Sequence, residues 1–237
     1  MNALTWISAA VALASAATTA FLGYWLQRRI VAVERLNYMD QYGASLAWAA
    51  FDLQSRLFNI LGRTYFALFL AEGTKDDTEL ARRSTVFVIA EYLGWVEILR
   101  RDVQFLDLGR SGPNRRVITQ LSQIGQTFHK SFAQHDELRL FRIQQRAIGS
   151  VMIHPDSEPG RRRCLDYPEF CRRLDSDARF GVWFSKLLQD VDVIAADITA
   201  CEPRLQSLQR QLVELIDLLD PDAVRFPQFH RKVYGDR

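Results

Sequence analysis

The feature that most constrains this chain is an uncharged segment near its N-terminal end. From Ala3 to Leu26 there are 24 residues without Asp, Glu, Lys or Arg. About 20 predominantly apolar residues are enough for a helix to cross the hydrocarbon core of a bilayer. The segment therefore predicts a single N-terminal transmembrane helix that attaches the rest of the chain to a membrane.

The residues at the two ends of this segment predict its orientation. Aromatic residues, which favour the membrane interface, occur at both ends: Trp6 at one, and Phe21, Tyr24 and Trp25 at the other. Arg28 and Arg29 follow at once, and no Lys or Arg precedes the segment. The positive-inside rule then places the N-terminus outside and the downstream domain in the cytoplasm. We expect a bacterial inner membrane, with Arg28 and Arg29 at its anionic cytoplasmic surface.

A cleaved signal peptide is the competing interpretation of the same segment. The small residues around Ala14–Ala20 resemble a cleavage site. A signal peptide, however, carries positive charge before its apolar stretch, and here the charge comes after it. The charge order therefore favours a retained anchor.

Small residues recur every four positions along the anchor, at Ser8, Ala12, Ala16 and Ala20. At this spacing they share one helix face, and small residues let helix backbones approach closely in lipid. The face predicts self-association or contact with another membrane protein. Because alanine is frequent throughout the segment, the same spacing also fits composition alone.

The composition of the chain favours long helices over sheets. Hydrophobic residues make up 48%, which is enough for a buried core, while Gly (12) and Pro (7) are sparse. The formal net charge of +2 does not indicate a nucleic-acid-binding protein. Three cysteines, Cys164, Cys171 and Cys201, form no disulfide framework and fit a reducing compartment.

Apolar residues at helical spacing predict a series of amphipathic helices. No segment alternates polar and apolar residues as a strand does. We predict an all-α fold: a transmembrane helix followed by a cytoplasmic helical bundle. The predicted helices are Ile30–Leu61, Tyr65–Ala71 as a buried core helix, Leu80–Leu108, Arg115–Ala133, Glu137–Met152, Pro168–Leu174, Phe180–Ile198 and one beginning near Pro203.

Leucines spaced three and four apart follow Pro203 and form a short coiled-coil-like seam that ends at Pro221. Two heptads are too few to dimerise alone, so we expect the seam to close an intramolecular bundle. The predicted organisation is an anchor with a basic flank over residues 1–29, a helical bundle over 30–155, and a C-terminal helical extension over 156–237, packed on the same bundle.

Familiar catalytic and cofactor motifs are missing from the sequence. It contains no nucleophile elbow, no phosphate-binding loop and no dinucleotide fingerprint. The four histidines and three cysteines do not pair at the spacing of zinc ligands. We predict no catalytic residues, no metal and no cofactor, and an enzymatic role is the less favoured reading.

One group of charged residues is a candidate ligand site. Glu97 and Arg101 lie four residues apart in the apolar helix Leu80–Leu108, and Arg142 and Arg146 have the same spacing in a later helix. If the two helices face each other, Glu97 can meet Arg142 or Arg146, and arginines recognise carboxylate and phosphate groups. A structural ion-pair network, or a solvated face, is the simpler interpretation.

Three functions follow from these features. The first is a membrane-anchored helical interaction or scaffold protein, with membrane lipid and a protein partner or a second copy as contacts. The second is a ligand-sensing or enzymatic helical domain that uses the Glu97, Arg101, Arg142 and Arg146 group. The third is an accessory subunit of a membrane complex.

Overall fold

A computed structural model describes residues 3–66, 68–69, 73–103, 112–132, 135–199 and 201–235; side chains are described at all of these except 3–11, 28–41, 103 and 112–114. Within these ranges the chain is helical and holds no strand, which confirms the all-α prediction. Pairing of β type is limited there to two isolated bridges, Phe132 with His135 and Ile153 with Cys164.

The helices are nine α-helices and one 3₁₀ turn over the described ranges. In chain order they are α1 Ala3–Leu61, α2 Thr64–Phe66, α3 Lys75–Val103, α4 Gly112–His129, α5 Arg142–Met152, α6 Tyr167–Ser176, α7 Ala178–Gly181, α8 Ser185–Ala196, α9 Glu202–Leu219 and the 3₁₀ turn Gln228–His230.

The chain divides into two compact units, Met1–Gln41 and Tyr42–Arg237. In the first unit, every side chain from residue 12 to residue 27 is exposed. The hydroxyls of Ser15 and Thr19 donate to the carbonyls of Ala12 and Ser15, at 3.0 and 2.8 Å. Such bonds satisfy polar side chains within the helix itself.

No helix among the described residues combines the length and the apolarity that a membrane span requires. This result does not support the predicted transmembrane helix Ala3–Leu26. Ala12, Ala16 and Ala20 of the predicted contact face are exposed. The side chains of Ser8, Arg28 and Arg29 lie outside the described residues.

The second unit is a helical bundle built around α3, as the sequence predicts. The part of α1 from Tyr42 onward turns one apolar side inward, with Leu46, Leu53 and Leu57 buried. Helix α3 packs against α5, α6 and α8, and α9 packs against α4. Leu205, Leu208, Leu212 and Leu215 of α9 are buried, so the leucine seam packs within the unit.

Helix α3 begins earlier than its apolar pattern indicates. The Thr74 hydroxyl accepts from the Asp77 backbone N–H at 3.2 Å, and the Asp77 carboxylate accepts from the Thr74 backbone N–H at 3.0 Å. This reciprocal arrangement is an N-terminal capping box. It starts the helix at Lys75, whereas the apolar periodicity alone suggested Leu80.

Helix α5 begins later than predicted, at Arg142 rather than Glu137. Leu138 adopts φ +54°, a left-handed conformation that a helix cannot continue through. Its backbone N–H donates to the Asp190 carboxylate at 2.8 Å instead. The predicted helix Phe180–Ile198 is likewise divided into α7 and α8.

The prediction of a core helix over Tyr65–Ala71 is wrong in its burial, since Phe66 is the one buried residue among the described positions of that segment. Helix α2 covers only Thr64–Phe66, and the side chains of Leu68 and Phe69 are exposed. Arg63, just before it, takes φ +61°, which stops α1 at Leu61.

The loop between α5 and α6 is attached to the bundle through one carboxylate, Asp102 on α3. Its oxygens accept from the Tyr42 hydroxyl at 2.8 Å, from Arg162 Nε at 2.7 Å and from the Gly160 backbone N–H at 3.0 Å. The Tyr42 hydroxyl also accepts from the Arg162 backbone N–H at 3.3 Å. Arg162 of the basic run 161–163 is therefore engaged in structure.

Candidate functional site

Helices α3, α4 and α5 line a cavity of about 380 Å³ that is open to solvent on one side. This volume lies within the range of about 300–1,000 Å³ that small-molecule sites occupy. Helix α3 is the central, mostly buried wall, and α4 and α5 form the other two. We call this space the α3–α4–α5 cavity.

Most of the cavity wall is aliphatic. Leu93, Val96 and Leu99 contribute from α3, and Ile118 and Leu121 from α4. These residues lie one helical turn apart, as an amphipathic face requires. The wall therefore offers apolar contact without an aromatic side chain among the described lining residues.

One acidic residue, Glu97, belongs to the described cavity lining, and its charge is balanced within its own helix. Arg100 Nη2 and Arg101 Nε donate to the Glu97 carboxylate at 2.6 and 2.8 Å. These three residues are called the Glu97 cluster below. Burial alone would raise the pKa of Glu97, but the hydrogen bonds from Arg100 and Arg101 outweigh it and hold the pKa below its ordinary value.

Two arginines of the cavity have no such partner. Arg142 and Arg146 both line it from α5, and neither forms an ion pair or hydrogen bond through its guanidinium with any described residue. They lie four residues apart, which places them one above the other on the same helix face. Gln145, between them, donates through its amide to the carbonyls of Gly125 and Leu140 at 2.9 and 2.8 Å.

Close packing of α3 against α5 borders the cavity. A Cβ added to Gly149 would lie 2.4 Å from the Leu93 carbonyl oxygen and 2.8 Å from the Glu97 Cβ. A Cβ added to Gly94 would lie 2.6 Å from the Cys164 Sγ. Glycine at position 149 lets α3 and α5 approach closely on one side of the cavity, and glycine at position 94 lets the loop at Cys164 lie against α3. On the other side, toward Arg142, the helices leave space.

The structure brings three of the four predicted ligand residues, Glu97, Arg142 and Arg146, to one cavity. Arg101 is not part of its lining, because its guanidinium donates to the Ser150 hydroxyl at 2.7 Å. The predicted pairing of Glu97 with Arg142 or Arg146 is wrong. Arg100 and Arg101 are nearer in sequence, at the spacing that joins neighbours on one helix face, and they occupy the carboxylate first.

The α4 wall was not predicted from the sequence. Ile118 and Leu121 have the same apolar helical spacing as core residues, so no local signal distinguishes them. Arg100 could have been found, because it lies three residues after Glu97, the other spacing that joins helix neighbours.

A second perturbed glutamate lies on α3 outside the cavity lining. Burial and the nearby negative charge of Asp52 raise the pKa of Glu91 to about 7, with a hydrogen bond from Trp95 opposing the change. Arg56, on the same part of α1 as Asp52, donates to the hydroxyls of Ser84 and Thr85 at 3.0 and 2.9 Å. The Glu91 carboxyl group therefore changes its protonation state near neutral pH.

A larger cavity of about 550 Å³ lies beside α8, but its charged side chains are already paired. Asp192 binds Arg82 at 2.9 Å, and Arg63 faces Glu202 at 3.9 Å. The Asp197 carboxylate accepts from the Thr199 backbone N–H at 2.9 Å. These charges are satisfied within the fold, unlike Arg142 and Arg146.

Groups of three or more His, Cys, Asp or Glu residues that could hold a metal ion do not occur in the part of the chain that the structure describes. No family model, no curated protein and no solved structure matches this chain. The α3–α4–α5 cavity is therefore the feature of the protein from which a function is inferred.

Proposed function

We propose that this protein is a membrane-attached helical binding protein whose cytoplasmic domain takes an anionic ligand in the α3–α4–α5 cavity. The observation that carries the proposal is the pair of guanidiniums, on Arg142 and Arg146, without a partner among the described residues. Their planar forks match the geometry of carboxylate and phosphate groups. Arg100 and Glu97 form a neutral pair beside them, so two positive charges remain unbalanced in the lining.

The wall beside these two exposed arginines also supports a binding role. A structural ion-pair network would leave the arginines engaged, as Arg100 and Arg101 are. A solvated face would be convex and polar, whereas these arginines border a largely aliphatic cavity. An apolar cavity with a few convergent polar groups is the usual form of a ligand site.

Calorimetric titration of the full chain in phosphatidylcholine nanodiscs tests the anion site. We expect acetate, benzoate or inorganic phosphate to bind the wild-type protein, and the double variant Arg142→Gln/Arg146→Gln to bind at least tenfold more weakly. Arg179→Gln, which removes an exposed arginine elsewhere, is the matched control and should bind as the wild type does. If none of these anions binds a protein that melts cooperatively, the anion site is wrong.

The membrane attachment is proposed from the uncharged segment Ala3–Leu26 and the arginines that follow it. Further support is that residues 12–27, including Leu13, Phe21 and Leu22, are exposed on all sides of the helix. An apolar surface of this kind is normally buried against another apolar phase, and the lipid of a membrane provides one. Extraction of cell membranes with alkaline carbonate should leave the protein in the pellet, while a variant lacking residues 3–26 should be released.

An interaction or scaffold role is the second candidate, favoured by the exposed small face of Ala12, Ala16 and Ala20. Through this face the chain would self-associate or join a membrane complex as an accessory subunit. Native mass spectrometry from nanodiscs separates these two outcomes by stoichiometry. Recovery of the monomer alone would exclude both.

A further inference from the structure

We infer that the ligand of the α3–α4–α5 cavity is a small amphiphile: one carboxylate head group held by Arg142 and Arg146, and an unbranched apolar chain lying along α3 and α4. This inference rests on the proposed anion site and names the chemical class that the site selects. Three features of the cavity support it: the position of its charge, the chemistry of its wall and its volume.

The positive charge lies on one helix of the cavity only. Arg142 and Arg146 are both on α5, and both side chains are exposed. Arg142 is the first residue of α5, where the helix dipole adds positive potential. On the α3 side, Glu97 accepts from both Arg100 and Arg101, so that group carries one net positive charge against two on α5. An anionic head group is therefore favoured at α5, close to solvent, where it keeps part of its hydration.

The rest of the wall provides apolar contact and few hydrogen bonds. Across from the arginines it consists mainly of Val96 and Leu99 on α3 and of Ile118 and Leu121 on α4. A nucleotide base requires an aromatic surface for stacking or polar groups for its edges. Among the described lining residues, the neutral polar side chains are Ser122 and Gln145, and the Gln145 amide N–H groups already donate to Gly125 and Leu140. An aliphatic chain fits this surface, and a sugar or base does not.

The size of the cavity sets the scale of the ligand. A space of about 380 Å³ lies near the lower end of the range for small-molecule sites. It accommodates a single medium-length chain rather than a two-chain lipid. An uncharged analogue of the same length would contact the apolar wall in the same way but would leave the two guanidiniums unpaired.

The test is a chain-length series titrated calorimetrically into the full chain in phosphatidylcholine nanodiscs, with empty nanodiscs subtracted. The probes are butanoate, hexanoate, octanoate and decanoate, together with octanol as the uncharged analogue. We expect the dissociation constant to fall by about fourfold for each methylene that enters the cavity, which is about fifteenfold per step of the series. Octanol should bind at least tenfold more weakly than octanoate.

Two variants separate the head group from the chain. Arg142→Gln/Arg146→Gln should abolish the preference for octanoate over octanol, and Arg179→Gln should keep it. Ile118→Ser alters an exposed residue of the cavity wall. It should weaken the binding of octanoate several-fold and leave the binding of butanoate unchanged. Circular dichroism melts verify that each variant is folded.

Three results would overturn the inference. Arginine-dependent binding of equal strength across the series would keep the anion site and reject the amphiphile. Equal binding of octanol and octanoate, insensitive to the double variant, would show apolar partition and reject both. Absence of binding by every carboxylate to the folded wild-type protein would also reject both.

Discussion

The same local charge pattern occurs on two helices of this protein and has a different structural setting on each. The Glu97 cluster on α3 has a counterpart on α6, called the Glu169 cluster: Glu169, Arg172 and Arg173. In both, the glutamate accepts from arginines three and four residues later, at 2.6 and 2.8 Å on α3 and at 2.6 and 2.7 Å on α6. Only 4% of the Glu97 side chain is exposed, against 23% for Glu169.

This comparison separates what spacing determines from what packing determines. Spacing along a helix is sufficient to form the pairs, because residues three and four apart are neighbours on its surface. Packing of α5 over α3 buries the Glu97 carboxylate, whereas Glu169 on α6 stays partly exposed. In solvent, an ion pair of this kind contributes little to stability. Substitutions in the Glu97 cluster should therefore lower the free energy of unfolding more than substitutions in the Glu169 cluster.

The largest effect should come from breaking the packing that buries Glu97. In Gly149→Ala, the new Cβ would meet the Leu93 carbonyl oxygen and the Glu97 Cβ at distances no real contact adopts. We expect a loss of about 3 kcal/mol in the free energy of unfolding, measured by urea denaturation. Gly43→Ala is the matched control, since nothing lies within 4 Å of its added Cβ, and it should stabilise by about 1 kcal/mol. An unchanged free energy of unfolding in Gly149→Ala would mean that α5 can shift freely.

Removal of the two glutamates compares the clusters directly. Glu97→Ala removes the carboxylate to which Arg100 and Arg101 both donate. It should cost about 2 kcal/mol, less than the loss from a fully buried pair, because both guanidiniums are about one third exposed. Glu169→Ala, with the same spacing at the surface, should cost clearly less. Urea denaturation of the two variants measures the difference. Equal losses would contradict the role of burial.

Glu91 of α3 has no cation partner among the described residues, and its ionisation extends the comparison to the dependence of stability on pH. The pKa of Glu91 is raised to about 7, so the folded state holds a proton that the unfolded chain releases near the ordinary pKa of 4.5. Stability from this group is present below pH 4.5 and is lost as the pH rises toward 7. Allowing for its partial exposure, the loss between pH 5 and pH 7 should be about 1.5 kcal/mol.

Glu91→Gln should remove that loss and leave the variant the more stable protein at pH 8. Urea denaturation at pH 5, 6, 7 and 8 measures it. Glu158→Gln, at an exposed position in the loop between α5 and α6, is the control and should follow the wild-type curve. Parallel curves for Glu91→Gln and wild type would show that Glu91 ionises normally.

The smallest effect should come from the hydrogen bond that turns Arg101 away from the cavity. Ser150→Ala removes the acceptor 2.7 Å from Arg101 Nη2 and should destabilise the domain by about 1 kcal/mol. Because Arg101 keeps Glu97 as its acceptor, the Glu97 cluster should stay intact. A loss as large as that of Glu97→Ala would show that Ser150, rather than the carboxylate, holds Arg101.

The sequence predicts the helical class and most helix positions of this protein, and it predicts the composition of the site better than its geometry. Arg142 and Arg146 were identifiable because they lie four residues apart, on one face of a predicted helix. The break before α5 was not, since the left-handed conformation of Leu138 depends on Asp190, which lies 52 residues later. The cavity was not predictable from the sequence either, because its third wall comes from α4, whose wall residues have the same apolar spacing as core residues.

The Asp102 contacts have a consequence for how the bundle can be observed. Two backbone N–H groups of the loop between α5 and α6, at Gly160 and Arg162, donate to side chains of α3 and α1. Exchange of the Gly160 amide hydrogen with deuterium requires the loop to leave Asp102 on α3, and exchange of the Arg162 amide hydrogen requires it to leave Tyr42 on α1. Their exchange rates therefore report how often α1, α3 and this loop separate, and a pair of resonances can follow that motion without any label on the cavity itself.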